Sequence, residues 1–211
     1  MATIYSIHPE TPQTRRIEEI RDALQQGAVM LYPTDTVYAI GCDLNSKSAV
    51  EKVRRIKRLS NEKPLTFLCP SLSNIAQYAN VSDSAYRLMK RLIPGPYTFL
   101  LPATKLVPRL VMNEKRKTTG IRVPEHTICT TLLAALGNPI ISTSAPVLEE
   151  DETLGPTDQP IDKAELFDHL DKLVDVIIDD GSEPGYQVSS ILDLTADEPI
   201  LVRQGLGWEA A

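Results

Sequence analysis

The sequence is short of cysteine, of aromatic rings and of net positive charge, and each shortage removes a class of protein. Its three cysteines, Cys42, Cys69 and Cys129, are odd in number, widely separated and without metal-ligand spacing. That pattern excludes a disulfide scaffold and the usual zinc sites, and the thiols are expected as reduced core residues of a cytoplasmic protein. Aromatic residues make up 5% of the chain and the formal net charge is -6, which argues against a generally basic binder of nucleic acid that stacks bases. No apolar run is long enough to span a bilayer and the amino terminus is polar, so no membrane role is expected. There is no internal repeat, no P-loop lysine and no Ser-His-Asp set with a recognisable local signature.

What is present suits one large domain. The chain has 211 residues, 42% apolar and 24% charged, enough to bury a substantial core without covalent staples. Charge is distributed unevenly. Lys52, Arg54, Arg55, Lys57, Arg58 and Lys63 face one acid, Glu62, over residues 52–63. A second basic cluster holds Lys105, Arg109, Lys115, Arg116, Lys117 and Arg122, while acids collect between Glu149 and Asp180. A local basic surface on an acidic protein suits a phosphate-bearing ligand; an ordinary solvated charged face is the plain alternative.

Periodicity predicts a helix over Thr14–Gln26, closed by Gly27, then a buried strand over Ala28–Tyr32. Ser48 and Glu51 have capping-box spacing for a helix that reaches about Arg58, and Leu65–Cys69 reads as the next strand. Ser71–Ala79 and Ser82–Leu92 read as serine-capped helices, stopped by Pro94-Gly95-Pro96. Tyr97–Leu101 and Thr119–Val123 read as strands, Thr127–Leu136 as a helix ended by Gly137, and Ile140–Thr143 as a short strand. Residues 147–160 form an acidic, proline-containing loop, either mobile or an ordered lid. A helix over Ile161–Leu170 and strands over Val174–Ile178, Ser190–Leu194 and Ile200–Arg203 complete the chain, the last two suited to antiparallel pairing. Helices and strands alternate as in an α/β domain with one mixed sheet.

The stretch AVMLYPTDTVYAIGCD, residues 28–43, is the focus of the chain. Thr34, Asp35 and Thr36 follow the carboxyl end of a strand, where open α/β sheets bind small ligands, and Pro33 makes the loop reproducible in shape. On spacing alone a plain turn at a strand end accounts for them equally. The string YPTDTVYAIG, however, resembles the opening motif of the YrdC-like family, which includes the threonylcarbamoyl-AMP synthases. IKRLSNEKPL resembles the family's basic segment, PGPYTFLL its Pro-Gly-Pro turn and strand, and GIRVPEH its Arg-Val-Pro-x-His element. ISTSAP stands in the place of a Thr-Ser-Ala-Asn motif, and SSILDL and ILVRQG resemble its two closing strands. These matches come in family order and span about residues 14–207.

The resemblance implies a single domain over residues 1–211, a twisted open mixed parallel/antiparallel sheet flanked by helices. It implies an enzyme that joins ATP, L-threonine and bicarbonate into threonylcarbamoyl-AMP with release of pyrophosphate, for modification of a tRNA adenosine. Mg²⁺ would arrive with ATP rather than in a protein cage. In that chemistry a carbamate oxygen attacks the α-phosphorus while pyrophosphate leaves, so cations and hydroxyls near the phosphates reduce the repulsion between anions.

By motif match, Lys57 would meet a phosphate and Arg122 would hold the carboxylate of threonine or bicarbonate. The alternatives are a solvated lysine at a helix end and a structural salt bridge. Thr34 and Thr36 would shape the amino-acid pocket, Ser144 would meet the nucleotide, Ser189 or Ser190 a carboxylate or phosphate oxygen, and Arg203 would lie near the nucleotide. His126 reads as a surface turn residue and receives no catalytic role.

Four departures place the chain nearest the YciO-like branch. Lys57 is followed by Arg58 and Leu59 where the family has Lys-x-Arg, and on a helix that one-residue shift would swing Arg58 by about 100°. Pro146 replaces an asparagine and supplies neither amide side chain nor N–H. Val188 and Ser190 stand for Glu and Thr, and Tyr-Ala-Ile-Gly for Tyr-Gly-Leu-Gly. The chain also ends soon after its last expected strand, without the extra domain of longer synthases. Two other readings stay open: a module for double-stranded RNA or tRNA carried by the basic clusters, and a paralogue that binds nucleotide without turnover.

Overall fold

The fold was analysed in a computed structural model that describes residues 1–59, 64–145 and 162–208. In chain order the elements are β1 (Thr3–Ser6), α1 (Thr14–Gln25), β2 (Val29–Tyr32), β3 (Ala39–Asp43), α2 (Lys47–Ile56), β4 (Thr66–Leu68), α3 (Leu72–Tyr78) and α4 (Asp83–Leu92). They continue with β5 (Tyr97–Pro102), β6 (Thr118–Arg122), α5 (Thr127–Leu136), β7 (Ile140–Ser144), α6 (Lys163–Leu170), β8 (Val176–Asp179), β9 (Ser190–Asp193) and β10 (Ile200–Arg203). All ten strands join one sheet in the order β1-β8-β2-β3-β7-β4-β6-β5-β9-β10. Parallel pairs (β1/β8, β2/β8, β4/β6, β5/β9) alternate with antiparallel ones (β2/β3, β3/β7, β4/β7, β5/β6, β9/β10), so the sheet is mixed, as expected.

The core has two layers because the strands alternate. From β2, Val29 and Leu31 join one cluster while Met30 and Tyr32 join the other, and Ile177 of β8 opposes Val176 and Ile178 in the same way. One face carries α1 through Ile17, Ile20 and Leu24, and α5 through Ile128, Leu132 and Leu136. The other face carries α2, α3, α4 and α6 through Val53, Ile75, Met89 and Leu170. A side chain as fully buried as Ile20 or Phe67 contributes about 1.5–3 kcal/mol by leaving water.

Local signals account for most boundaries. Gly27 (φ 94°) follows α1, and Gly137 (φ 76°) closes α5 in the left-handed conformation that favours glycine. Ser82 caps α4 by accepting from the Ala85 N–H. The cap of α2 is Ser46, whose Oγ accepts from Ala49 N, and not the capping box expected at Ser48. Ser71 precedes α3, but its hydroxyl donates to Asn74 rather than capping the backbone. Among the described residues no helix is long and apolar enough to cross a membrane. The loop at 147–160, Pro146, Glu62 and Lys63 lie outside the described residues.

Candidate functional site

The focal stretch is a hairpin. β2 and β3 pair antiparallel with Tyr32 opposite Ala39, so residues 33–38 form the connection, and Ala39–Asp43, to which the sequence pattern assigns no element, is strand. The connection is braced from inside: Thr34 Oγ1 donates to the Val37 carbonyl at 2.7 Å, accepts from Thr36 N at 3.2 Å and lies 3.1 Å from Thr36 Oγ1. Cys129 of α5 donates its thiol to the Pro33 carbonyl. Burial pushes that thiol's pKa up, and pushes Cys42 and Cys69 up to about 12, so the three cysteines are inert core residues.

Arg122, the last residue of β6, reaches this hairpin. Its Nη2 donates to Asp35 Oδ1 at 2.6 Å and its Nη1 to Thr36 Oγ1 at 3.0 Å, with the arginine and aspartate side chains each 9% exposed. The bridge is incomplete. Among the described residues, Asp35 Oδ2 and Arg122 Nε are both buried without a hydrogen-bond partner. Arg203, at the end of β10, donates to the Ser189 carbonyl through Nε (3.1 Å) and Nη2 (2.8 Å), and to Ser189 Oγ at 3.2 Å. Its acceptors among the described residues are all uncharged. Burial first, then the nearby Arg122 cation, lowers its pKa. Two guanidiniums therefore lie near one another, with Asp35 as the carboxylate on Arg122.

The other expected residues fall into two groups, one at β9 and β10 and one at α2 and β7. Ser189 Oγ lies between Thr98 Oγ1 (2.9 Å) and Arg203. Ser190 is fully buried; its hydroxyl donates to the Leu206 carbonyl and accepts from Gly205 N, so it latches the turn after β10 and is not presented to a ligand. Of the serine pair expected to meet an anion, Ser189 is the one beside a cation. Lys57, the C-cap of α2, reaches to the Ala145 carbonyl at 3.3 Å. Ser144, the last residue of β7, pairs with Ala39, and Ala145 N donates to the Tyr38 carbonyl, so Lys57 and Ser144 adjoin the connection end of the same hairpin. Lys57 is thus not a solvated helix-end lysine. Arg58 has left the helix with φ 52°, so the helical rotation expected for it does not apply.

The sequence did not point to Asp35 as the partner of Arg122, although Asp35 lies between the two threonines that it singled out. His126, expected on the surface, is instead 16% exposed and directs Nε2 at Asp180 Oδ2, 3.6 Å away. Burial raises the Asp180 pKa, but hydrogen bonds from His126 and Ser182 outweigh it and hold the carboxyl at about 2. Nor do the basic stretches form one surface. Lys52 pairs with Asp175, Arg54 points inward to the Leu110 carbonyl, Arg116 pairs with Asp193, and Arg122 is buried. Among the described residues no group of three or more His, Cys, Asp or Glu is placed to hold a metal ion.

Two guanidiniums and a lysine are set around one braced hairpin of an open mixed sheet, the frame of an α/β domain. The family model Sua5/YciO/YrdC, described as "Telomere recombination", matches residues 22–205. The chain is 42% identical to the uncharacterized protein YciO of Escherichia coli over 98% of its own length and 97% of that protein. The crystal structure of E. coli YciO superposes with a TM-score of 0.87 over 98% of this chain and 97% of that one. P. abyssi Sua5 complexed with L-threonine is 26% identical with a TM-score of 0.83, over 97% of this chain and 58% of that one. The threonylcarbamoyl-AMP synthase of Vibrio vulnificus is 28% identical over 90% of this chain and 98% of its own. The chain belongs to the Sua5/YciO/YrdC family.

Proposed function

We propose that the chain is an enzyme of the threonylcarbamoyl-AMP synthase type, joining L-threonine, bicarbonate and ATP. The observation that carries this reading is the unfinished Arg122–Asp35 bridge, whose buried Nε has no acceptor while Arg203 adds a second cation without a carboxylate of its own. An anionic ligand supplies the missing acceptor. The relative from V. vulnificus and the L-threonine complex of P. abyssi Sua5 support an amino acid as part of that ligand.

In this reading Arg122, oriented by Thr36 and Asp35, holds the threonine carboxylate, and the braced Thr34 hydroxyl shapes the pocket around its side chain. The threonine amine and bicarbonate condense to a carbamate with loss of water. A carbamate oxygen then attacks the α-phosphorus of ATP, and the bond to the pyrophosphate breaks. Lys57 and Arg203 offset the charge of the phosphates, with Ser144 and Ser189 as hydroxyl partners. Mg²⁺ enters with ATP as part of the substrate.

The test is pyrophosphate release from ATP with L-threonine and bicarbonate each present or omitted. Release that requires both supports the reading. ATP bound by the folded protein without release under any combination overturns it in favour of a nucleotide-binding paralogue. RNA retention that weakens steeply with salt, without turnover, would point instead to phosphate contacts on the protein surface.

A further inference from the structure

Residues 180–189 connect β8, next to one edge of the sheet, with β9, next to the other. The two strands run in the same direction, as the chain of parallel and antiparallel pairings between them requires. The connection must therefore cross the sheet and return along it. Seven inter-strand steps of about 4.8 Å make roughly 34 Å in a flat sheet. A fully extended segment of this length reaches roughly 36 Å, and part of it is spent on the turn in which Asp180 Oδ1 accepts from Ser182 N and Oγ. Only the sheet's twist lets so short a strap close.

The strap is fastened at three points. At its start Asp180 faces His126 at the head of α5, and at its end Ser189 meets Thr98 and Arg203. Between them Gly185 lies against the focal hairpin so closely that a Cβ there would collide with the carbonyl oxygen of Thr36. Gly185 does not have a positive φ, so this position requires glycine for its missing side chain rather than for a special conformation. Thr36 is the residue whose hydroxyl takes a hydrogen bond from Arg122.

We infer that the middle of the strap, around Gly185, is the back wall of the anion site and that Gly185 is a positioning residue, setting the Thr34–Thr36 loop and through Thr36 the aim of the Arg122 guanidinium. The choice of L-threonine as a probe rests on the function proposed above; the position of Arg122 does not.

The experiment compares Gly185→Ala with Gly181→Asn, a change in the same strap at a left-handed position with open space around it. Folding is checked by thermal melting, the loop by hydrogen exchange at Thr36 and Val37, and the guanidinium by the Arg122 Nε–H resonance. Gly185→Ala is expected to remain folded, to shift that resonance, to speed exchange at both amides and to weaken L-threonine by about tenfold or more, the loss of a charged hydrogen bond. ATP affinity changes less than about threefold, and Gly181→Asn leaves all readouts near wild type, as a site without shared partners should. A folded Gly185→Ala protein with unmoved resonance and amides overturns the inference. If wild type binds no L-threonine, the proposed function fails, and the resonance and exchange still decide the role of Gly185. If Gly185→Ala does not fold, insertion of two glycines between Ser182 and Glu183 slackens the strap without adding an atom at Gly185. Unchanged Thr36 exchange in that variant overturns the inference, and faster exchange with a shifted Arg122 signal upholds it.

Discussion

Two arginine–aspartate bridges flank the same strand, and they have opposite characters. Arg116, just before β6, donates to Asp193 Oδ2 at 2.6 Å, and Arg122, at its end, donates to Asp35 Oδ1 at the same distance. Asp193 is completed by its surroundings: its second oxygen accepts from Thr195 N and from Thr195 Oγ1. Burial raises its pKa, but those bonds and Arg116 lower it overall. Asp35 keeps a buried oxygen without a donor, and Arg122 a buried N–H without an acceptor. The length of a bridge therefore says little about its role. Whether its remaining hydrogen-bonding capacity is satisfied separates a structural pair from one arranged for a ligand.

The largest effect is expected at the open bridge. Arg122→Ala leaves the Asp35 carboxylate buried alone, which should cost about 3–5 kcal/mol in denaturant unfolding and abolish threonine-dependent pyrophosphate release. The double change Arg122→Met with Asp35→Leu should recover most of the stability and none of the activity; recovery of both would make the bridge purely structural. At the closed bridge, Asp193→Asn weakens charge-assisted bonds to Thr195 and Arg116 and should lower stability by about 2–3 kcal/mol, with ligand affinity unchanged.

Asp180 is the intermediate case, one oxygen satisfied by Ser182 and the other facing His126. Its folded pKa of about 2 lies below the unfolded carboxylate value, so its contribution is complete above about pH 4 and is lost as pH falls towards 2. Unfolding free energy measured between pH 5 and pH 2 should fall by about 2 kcal/mol more for wild type than for Asp180→Asn. The smallest effect belongs to Arg116→Ala. With its side chain 55% exposed, its loss should cost under about 1 kcal/mol, and a larger cost would break the contrast between the two ends of β6.

Elements whose apolar residues recur at one period were readable from sequence: α5 spans Thr127–Leu136 and β10 spans Ile200–Arg203, both as periodicity predicts. Two strands were not. β1 is a largely exposed edge strand of TIYS, without the alternation that a buried face imposes. β3, AIGCD, is buried at every residue, yet Gly41 interrupts its apolar run. That glycine is present because a Cβ there would press on the Ile141 carbonyl and the Tyr32 ring, a cross-strand requirement that no local pattern records. The site divides in the same way. Lys57, Arg122, Thr34, Thr36 and Arg203 were legible as motif positions, but their partners were not, because Asp35 meets Arg122 and Gly185 meets Thr36 only after distant strands have been laid side by side. Ser190 shows the converse: a motif serine whose hydroxyl turns out to be engaged by the backbone of residues 205 and 206.

The pairing of β1 with β8 has a consequence for the order of events during synthesis. Thr3 to Ser6 are made long before their ladder partners, Val176 to Asp179. Until then the first strand has no neighbour in the sheet, and β2 lacks the neighbour that covers its other side. Arg203 is later still. Such long-range closure slows folding and leaves strand edges open to other chains in the interval. A nascent chain stopped before residue 176 would carry the hairpin and Arg122 but neither edge closure nor strap, so the site comes into being only after β8, the strap and β10 have been made.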